Sequence, residues 1–230
     1  GSLAQYVTTP VWSVIRIPDS VSFEQAAIVT DGVSTPFHAL RSRAALKAGE
    51  SVAVVGCGGL GTHAILIARM MGAGFIVAID TQEAARSRAL ELGADLAIDP
   101  TADPGARKAI HQYLGDGVDV SLEFVGRANT VDTAISVLAT GGRAVVVGVG
   151  MESPQLPPLV RFVSKEHSVI GSFGMDKRDI EDLLTLIARK RLDLSRSISS
   201  SYPLSGINEA LQRLASQNTD VVRLVVNPGR

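Results

Sequence analysis

The sequence predicts an α/β protein built on a doubly wound parallel sheet of six strands, and three observations support this prediction. Six short apolar runs recur between Ser51 and Ser172, with turns and helical stretches between them. Aromatic residues make up only 4% of the chain, so Ala, Val, Ile and Leu carry most of its apolar content. A glycine-rich turn directly follows the first run. Parallel strands need crossover connections and are covered on both faces, which makes them read as continuous apolar runs.

Length and charge limit the classes of protein to which the chain belongs. Its 230 residues are enough for one large domain or two small ones, and 46% of them are hydrophobic, which excludes disorder for most of the length. The formal net charge is −1. Without a basic field, we expect neither a nucleic-acid partner nor a membrane partner.

The first part of the chain is irregular. Gln5–Thr9 and Ser13–Ile17 are short runs that favour β structure, and they resemble the end of a preceding domain. Helices are predicted from Ser22 and from Ser34 to Leu46. The opening Gly-Ser lacks an initiator Met, and this predicts that a natural N-terminal part has been cut away.

The regular part begins at Ser51. The predicted strands are Ser51–Val55, Phe75–Asp80, Leu96–Asp99, Val118–Phe124, Arg143–Val149 and Val169–Ser172. Between them, helices are predicted over 81–92 and 129–138. After Gly174 the predicted elements are a helix over 177–189, a strand over 197–201, a helix over 205–216 and a strand over 221–226. We expect the last three to pack outside the parallel sheet.

The turn after the first strand, Gly56-Cys-Gly-Gly-Leu-Gly61, has the spacing of a dinucleotide-binding fingerprint and opens an apolar helix. In that fingerprint Gly56 makes the tight turn, Gly58 lets the backbone approach a pyrophosphate, and Gly61 allows close packing of helix on strand. The helix N-terminus adds free amides and a positive dipole.

Asp80 follows Gly61 by 19 positions, at the end of the second predicted strand. An acid there accepts hydrogen bonds from the adenosine ribose, whereas a 2′-phosphate would face its charge, so NAD is favoured over NADP. Two alternatives remain. The glycines serve only close packing while Asp80 caps the next helix, or the chain is a methyltransferase, although glycine loops of that class are usually spaced differently.

Cys57 is the single cysteine and cannot form an internal disulfide. No leader-like segment opens the sequence, so a reducing, cytoplasmic setting is predicted. The longest uncharged stretch, Ser51–Ala68, is broken by four glycines and indicates a strand and a helix instead of a membrane span.

Several segments together resemble the medium-chain, zinc-type alcohol dehydrogenase family, and the closest similarity is to bacterial secondary-alcohol dehydrogenases. The resemblance covers essentially the whole chain. It is carried by residues 26–40, 52–61, 85–95, 123–126 and 141–148.

The resemblance implies roles for individual residues. Asp31 occupies the position of the family's third zinc ligand, although a helix cap is the alternative for it. Thr35 matches the threonine beside the nicotinamide and is the expected catalytic residue. Arg223 matches a basic residue that reaches the pyrophosphate, with a solvated surface arginine as its alternative. The other expected cofactor contacts are Gly56, Gly58, Gly59, Leu60, Gly61, Asp80, Thr81, Phe124, Val125, Gly126, Val147, Gly148 and Val149.

The chain also departs from the family. The other zinc ligands of the family belong to an N-terminal domain absent from this sequence, and Cys57 cannot replace them from inside the phosphate loop. A catalytic zinc needs three protein ligands, so with Asp31 alone we expect neither tight zinc binding nor turnover. Ala85 stands where the family usually has a basic residue early in the helix after Asp80.

The resemblance implies three parts: a tail of the N-terminal GroES-like catalytic domain over 1–30, an NAD-binding Rossmann domain over 31–175, and a C-terminal segment over 176–230. The implied function is the cofactor-binding part of an NAD-dependent, zinc-type alcohol dehydrogenase that acts on a small alcohol or carbonyl substrate. The alternatives are a zinc-independent NADPH quinone or enoyl reductase, or a nucleotide-binding module without catalysis.

The resemblance further implies a homo-oligomer, formed through an edge of the Rossmann sheet. Its contact region would comprise Val145–Val149, Ser153–Pro158 and Leu159–Val163. The alternative interpretation is that the prolines here only protect an exposed edge against aggregation.

Overall fold

The computed structural model describes residues 3–102, 105–216 and 221–229. Gly1 and Ser2, on which the expectation of a removed N-terminal part depends, lie outside the described residues, as do 217–220 and 230 in the predicted C-terminal segment. The chain divides into two compact units. The first unit comprises the described residues of 1–34 and 176–230, and the second comprises those of 35–175.

The second unit contains a six-stranded sheet in the order β3-β2-β1-β4-β5-β6, with every neighbouring pair parallel. This confirms the predicted doubly wound α/β fold. The strands are β1 (Ser51–Val55), β2 (Phe75–Ile79), β3 (Leu96–Ile98), β4 (Val118–Glu123), β5 (Leu138–Val146) and β6 (Ser168–Gly171).

Four strands end one residue earlier than the sequence predicts, which leaves Asp80, Asp99, Phe124 and Ser172 in the loops beyond β2, β3, β4 and β6. Strand β6 also begins one residue earlier, at Ser168. The prediction for β5 is wrong at both ends. The strand begins at Leu138 because Leu138 pairs with Val118 ahead of a register shift, and it ends at Val146. Residues 147–149 therefore belong to the loop beyond the carboxyl end of the strand, which is the edge at which open α/β sheets bind ligands.

Helices cover the sheet of the second unit. They are α3 (Gly59–Met70), α4 (Glu83–Glu91), α5 (Ala106–Leu114), α6 (Ala128–Ser136) and α7 (Leu159–Ser164). The core is aliphatic: Val54, Val77 and Leu122 are fully buried, and Ile65 and Ile67 of α3 are equally enclosed. Within the described part of the chain, no helix combines the length and apolar character that crossing a membrane requires.

A succession of helical segments precedes β1. It runs through α1 (Phe23–Ile28), a π-helical turn (Val29–Val33), α2 (Ser34–His38) and a second π-helical turn (Ala39–Arg43). Ser22 caps α1 by accepting a hydrogen bond from the Gln25 amide at 3.2 Å, as the sequence predicts. Asp31 lies inside the first π-helical turn, so the interpretation of Asp31 as a helix cap is wrong.

The first unit also contains α8 (Lys177–Ala188), β7 (Ile198–Pro203), α9 (Ile207–Ala215) and β8 (Arg223–Asn227). Strands β7 and β8 form a separate two-stranded parallel sheet, which confirms that the last elements pack outside the large sheet. The predicted β runs Gln5–Thr9 and Ser13–Ile17 are wrong, because in the described residues a short 3-10 helix (Val11–Ser13) is the only regular element before α1. A run of this length is not stable as a strand without a partner strand.

Candidate functional site

The loop between β1 and α3 is held by hydrogen bonds to its own main chain. The Thr62 hydroxyl donates to the Cys57 carbonyl at 3.1 Å, and the Thr62 amide donates to the Gly58 carbonyl at 2.9 Å. Arg88 Nη2 donates to the same Cys57 carbonyl at 3.3 Å. These contacts fix the loop so that the first amides of α3 remain available to an anion.

The three glycines of the fingerprint have different surroundings. Gly56 has a φ of +88°, and a Cβ there would meet Val125 Cγ2 at 2.6 Å. A Cβ on Gly61 would overlap the Gly56 carbonyl oxygen. A Cβ on Gly58 would meet no atom within 4 Å, and Gly58 is exposed. Gly56 and Gly61 are therefore required by packing, whereas the open space at Gly58 is available to a ligand.

Asp80 joins the end of β2 to this loop. Its Oδ2 accepts a hydrogen bond from the Cys57 amide at 2.7 Å, and its Oδ1 accepts one from the Gln82 amide at 2.8 Å. Both oxygens keep a second lone pair for a ligand. The arrangement combines a fixed acid, an open glycine and helix amides, which is what a ribose followed by a pyrophosphate requires. A dinucleotide therefore fits the residues present.

The other half of the predicted cleft is formed by the loops after β4 and β5. Gly126 has a φ of +81°, and a Cβ there would meet the Val149 backbone at 2.7 Å. A Cβ on Gly148 would overlap the Gly126 amide nitrogen. Val125 and Val149 are exposed, while Phe124 is half-buried and Val147 is buried. The structure thus brings the two predicted loops into direct backbone contact and leaves two valine side chains open to a ligand.

Sequence reasoning missed the side chain that shapes these loops. Glu123, the last residue of β4, is fully buried, and its Oε1 accepts hydrogen bonds from the Val125 amide at 2.7 Å and the Gly126 amide at 2.8 Å. The Thr130 hydroxyl donates to the same oxygen at 2.7 Å. The available signal was an acid at the end of a buried strand, Val118-Asp-Val-Ser-Leu-Glu123, because a buried carboxylate needs such donors.

The predicted metal ligand and the predicted pyrophosphate contact both lie in the first unit. Arg223 Nε lies 2.5 Å from the position that a Cβ on Gly32 would take, so the guanidinium packs on bare glycine backbone next to Asp31. Burial lowers the pKa of Arg223, while the charge of Asp31 acts in the opposite direction. The interpretation of Arg223 as a solvated surface arginine is wrong, because the residue is half-buried against Gly32.

The residues present do not fit a zinc ion by themselves. Asp31 is exposed, and among the described residues no group of three or more His, Cys, Asp or Glu ligand atoms includes it. Burial raises the pKa of the Cys57 thiol to about 12, and the thiol faces the main-chain carbonyls of Val54 in β1 and Ile79 in β2. Cys57 is fully enclosed, so the ion has no access to its thiol.

The remaining predicted residues take the following positions. Thr35 is 5% exposed in the first turn of α2 and belongs to the second unit. Gly59 and Leu60 are half-buried at the start of α3, and Thr81 is exposed after Asp80. A cavity of about 590 Å³ in the first unit is lined mainly by apolar side chains, and none of the predicted site residues lines it.

Comparisons with known proteins agree with this geometry. Residues 59–189 match the protein family described as zinc-binding dehydrogenase. An alcohol dehydrogenase of Geobacillus stearothermophilus is 34% identical over 216 residues, which cover 93% of this chain and 61% of the relative. Sorbitol dehydrogenase of Rattus norvegicus is 30% identical over 214 residues, covering 92% of this chain and 59% of the relative.

Among solved structures, 2R,3R-butanediol dehydrogenase from Bacillus subtilis superposes with a TM-score of 0.85 at 28% identity. The match covers 93% of this chain and 60% of that protein. The chain thus spans about three fifths of the length of the relatives it matches.

Proposed function

Since this chain belongs to the zinc-binding dehydrogenase family, we propose that it is the cofactor-binding part of an NAD-dependent alcohol dehydrogenase. The intact protein would interconvert a small alcohol and the corresponding carbonyl compound. Relatives with names as different as sorbitol dehydrogenase and alcohol dehydrogenase support the class of substrate and leave its identity open. We also propose that the chain consists of three functional parts, with boundaries at residues 30/31 and 175/176. The setting that we propose for the protein is reducing and cytoplasmic.

NAD, when bound, supplies the hydride acceptor or donor at its nicotinamide ring. The chain's own residues bind and orient it. The amides at the start of α3 would bind the pyrophosphate over Gly58. The family resemblance further implies a pyrophosphate contact by Arg223. The exposed Val125 and Val149 would contact the nicotinamide and exclude water from one of its faces. Thr35 would contact the substrate side of the ring, as the family resemblance implies.

The observation that carries the proposal is the position of Asp80. A carboxylate that is hydrogen-bonded to the phosphate loop at 2.7 Å supports binding of the ribose next to the pyrophosphate. Its negative charge favours two ribose hydroxyls over a 2′-phosphate. This supports NAD as the cofactor and argues against the NADPH-dependent quinone or enoyl reductase.

We propose that only the intact protein binds zinc. Asp31 would be one ligand, and at least two more would have to come from outside this chain, because the described residues do not fit the ion. We therefore expect the chain alone to behave as the nucleotide-binding module without catalysis. It would bind the dinucleotide and not turn over alcohol.

The sequence assigns the Val145–Val149 strand to the subunit contact, but β5 pairs with both β4 and β6, so the edge strand is β6. We therefore propose that copies of the chain associate through β6 and the segment 153–163. This strand forms the edge of the large sheet, and the neighbouring α7 exposes Leu159, Val160 and Val163 by 69%, 78% and 68%. A strand at the edge of a sheet, beside a group of exposed apolar side chains, favours pairing with a second copy.

The test is a calorimetric titration of the chain with NADH and then with NADPH, with zinc present and absent, followed by an assay for alcohol-dependent formation of NADH. Binding of NADH in preference to NADPH, with no turnover, is the expected result. Tight binding of NADPH, or binding of neither dinucleotide, would overturn the assignment of the cofactor.

A further inference from the structure

Two acids occupy neighbouring strand ends at the ribose side of the proposed cofactor site. Strands β2 and β3 are parallel neighbours with Ile79 opposite Ile98, and the Asp80 amide donates to the Ile98 carbonyl at 3.1 Å. Asp80 and Asp99 are the next residues along each strand. Since neighbouring strands lie about 4.8 Å apart, the two acids leave the sheet side by side.

Arg86 of α4 lies against both of these strand ends. Its Nη1 donates to the main-chain carbonyl of Asp80 at 2.8 Å and to Asp99 Oδ2 at 3.3 Å. The side chains of Arg86 and Asp99 are 19% and 26% exposed, so the pair is partly shielded from water. The Arg86 cation is therefore held beside Asp80, the acid that would bind the ribose. Its ion pair is with the carboxylate of Asp99.

Asp99 is fixed independently of Arg86. Its Oδ1 accepts hydrogen bonds from the Thr101 amide at 2.9 Å and from the Thr101 hydroxyl at 2.6 Å. These bonds, together with the charge of Arg86, lower the pKa of Asp99 from its ordinary value. The carboxylate stays ionised at neutral pH and remains aimed at Arg86.

We propose that Asp99 is a specificity-determining residue of the dinucleotide site, because it holds the Arg86 guanidinium and so keeps that cation from a 2′-phosphate. The inference deepens the proposed function and rests on it. Asp80 repels the 2′-phosphate of NADP directly, and Asp99 withholds the Arg86 cation that could bind it. Exclusion of NADP then depends on two acids instead of one.

The net charge of these side chains distinguishes the contribution of Asp80 to the exclusion of NADP from that of Asp99. Asp80, Asp99 and Arg86 together carry one net negative charge. Removing Asp80 alone makes the group neutral, but Arg86 remains paired with Asp99. Removing both acids leaves a positive charge on Arg86, whose guanidinium keeps its bond to the main-chain carbonyl of residue 80 and has further N–H groups that can bind phosphate. If Asp99 only linked α4 to β3, its removal would change stability and leave the choice of cofactor unchanged.

The experiment measures NADH and NADPH affinity calorimetrically for the wild-type chain, D80S, D99N, D80S/D99N and D80S/D99N/R86A. Asparagine keeps an oxygen that can accept the two Thr101 bonds, so the local turn is retained, and D99S replaces D99N if the latter does not fold. D80S/D95N is the matched control, because Asp95 pairs with Arg69 at 2.6 Å at the opposite end of β3.

We expect D80S to lose NADH affinity with little gain for NADPH, and D80S/D99N to bind NADPH at least about tenfold more tightly than D80S does. Adding R86A should abolish that gain, and the D95N control should show none. Equal NADPH affinity in D80S and D80S/D99N, or a gain that survives R86A, would overturn the role of Asp99 while NADH binding by the wild type still stands. Failure of the wild type to bind either dinucleotide would overturn the proposed function and this inference together.

Discussion

The Asp80 carboxylate accepts a hydrogen bond from the Cys57 amide at 2.7 Å, and these two residues lie 23 positions apart in the sequence. One side chain therefore serves both as a support of the phosphate loop and as the proposed ribose acceptor. Removing it should change both the stability of the loop and the affinity for the cofactor, and these two effects can be separated experimentally.

Asp80→Ala should lower the free energy of unfolding by about 1.5–3 kcal/mol and NADH affinity by roughly tenfold, because two hydrogen bonds to a charged acceptor are lost. Asp95→Ala is the matched control, since Asp95 also accepts a main-chain amide at 2.7 Å, from Ile76. Urea unfolding and calorimetry would measure the two quantities. An equal loss of NADH affinity in both variants would mean that Asp80 acts only on stability.

Alanine at Gly61 should lower stability, whereas alanine at Gly58 should lower the affinity for NADH. Gly61→Ala forces a methyl group onto the Gly56 carbonyl and should cost about 1–3 kcal/mol of stability or more. Gly58→Ala meets open space and should change stability by less than about 0.5 kcal/mol. It should nevertheless lower NADH affinity by roughly tenfold, since the phosphate loses close contact with the amides. Thermal unfolding with and without NADH distinguishes the two effects, and unchanged NADH affinity in Gly58→Ala would contradict the position proposed for the pyrophosphate.

Glu123→Ala should destabilise the second unit by roughly 3 kcal/mol, because the Val125 and Gly126 amides and the Thr130 hydroxyl lose their shared acceptor. Glu123→Gln keeps one acceptor oxygen and should lose about 1 kcal/mol. Chemical denaturation of the two variants provides the comparison. Equal losses would show that the charge of Glu123, and not its acceptor geometry, holds the loop.

His167 should make stability depend on pH. Burial lowers the pKa of His167 below its ordinary value of 6.5, and the positive charges of Arg161 and Lys165 act in the same direction. The unfolded chain therefore binds a proton more readily than the folded chain. Stability should fall as the pH falls from about 6.5 towards the lower pKa of the folded state.

His167→Phe should remove this component while it keeps the edge contact with the Phe162 ring, whose centroid lies 6.4 Å from that of His167. The measurement is the difference in urea midpoint between wild type and variant at pH 7.5 and pH 5.5. A difference that does not change with pH would rule out His167 as the source.

Association through β6 should be sensitive to charge. Val169→Lys, in the edge strand, and Val160→Asp, in α7, should each shift sedimentation towards the monomer, because a buried unpaired charge disfavours an interface. Tyr113→Lys is the control, since Tyr113 is also a large exposed apolar residue of the second unit but belongs to α5. Monomeric wild type at high concentration would contradict the proposed association.

Much of the second unit follows from local sequence. The apolar runs locate all six strands, and β1 agrees with its prediction at both ends. The start of β5 was missed because Ala139-Thr-Gly-Gly142 reads as a turn. These residues extend a strand only because pairing with β4 begins at Val118, and that pairing is not encoded locally. The helical run through Asp31 was missed for a similar reason, since a π-helical turn has no distinct sequence signature.

The sequence by itself determined the parallel α/β order, the glycine turn and the acid after it, because periodicity and turn chemistry act over a few residues. The tertiary structure alone decided which groups share partners. Arg86 donates hydrogen bonds to the Asp80 carbonyl and the Asp99 carboxylate, and the amides after β4 donate to Glu123. The Arg223 side chain packs on Gly32. These contacts depend on register, on helix packing and on the space left by a missing Cβ, all of which exist only once distant parts of the chain have come together.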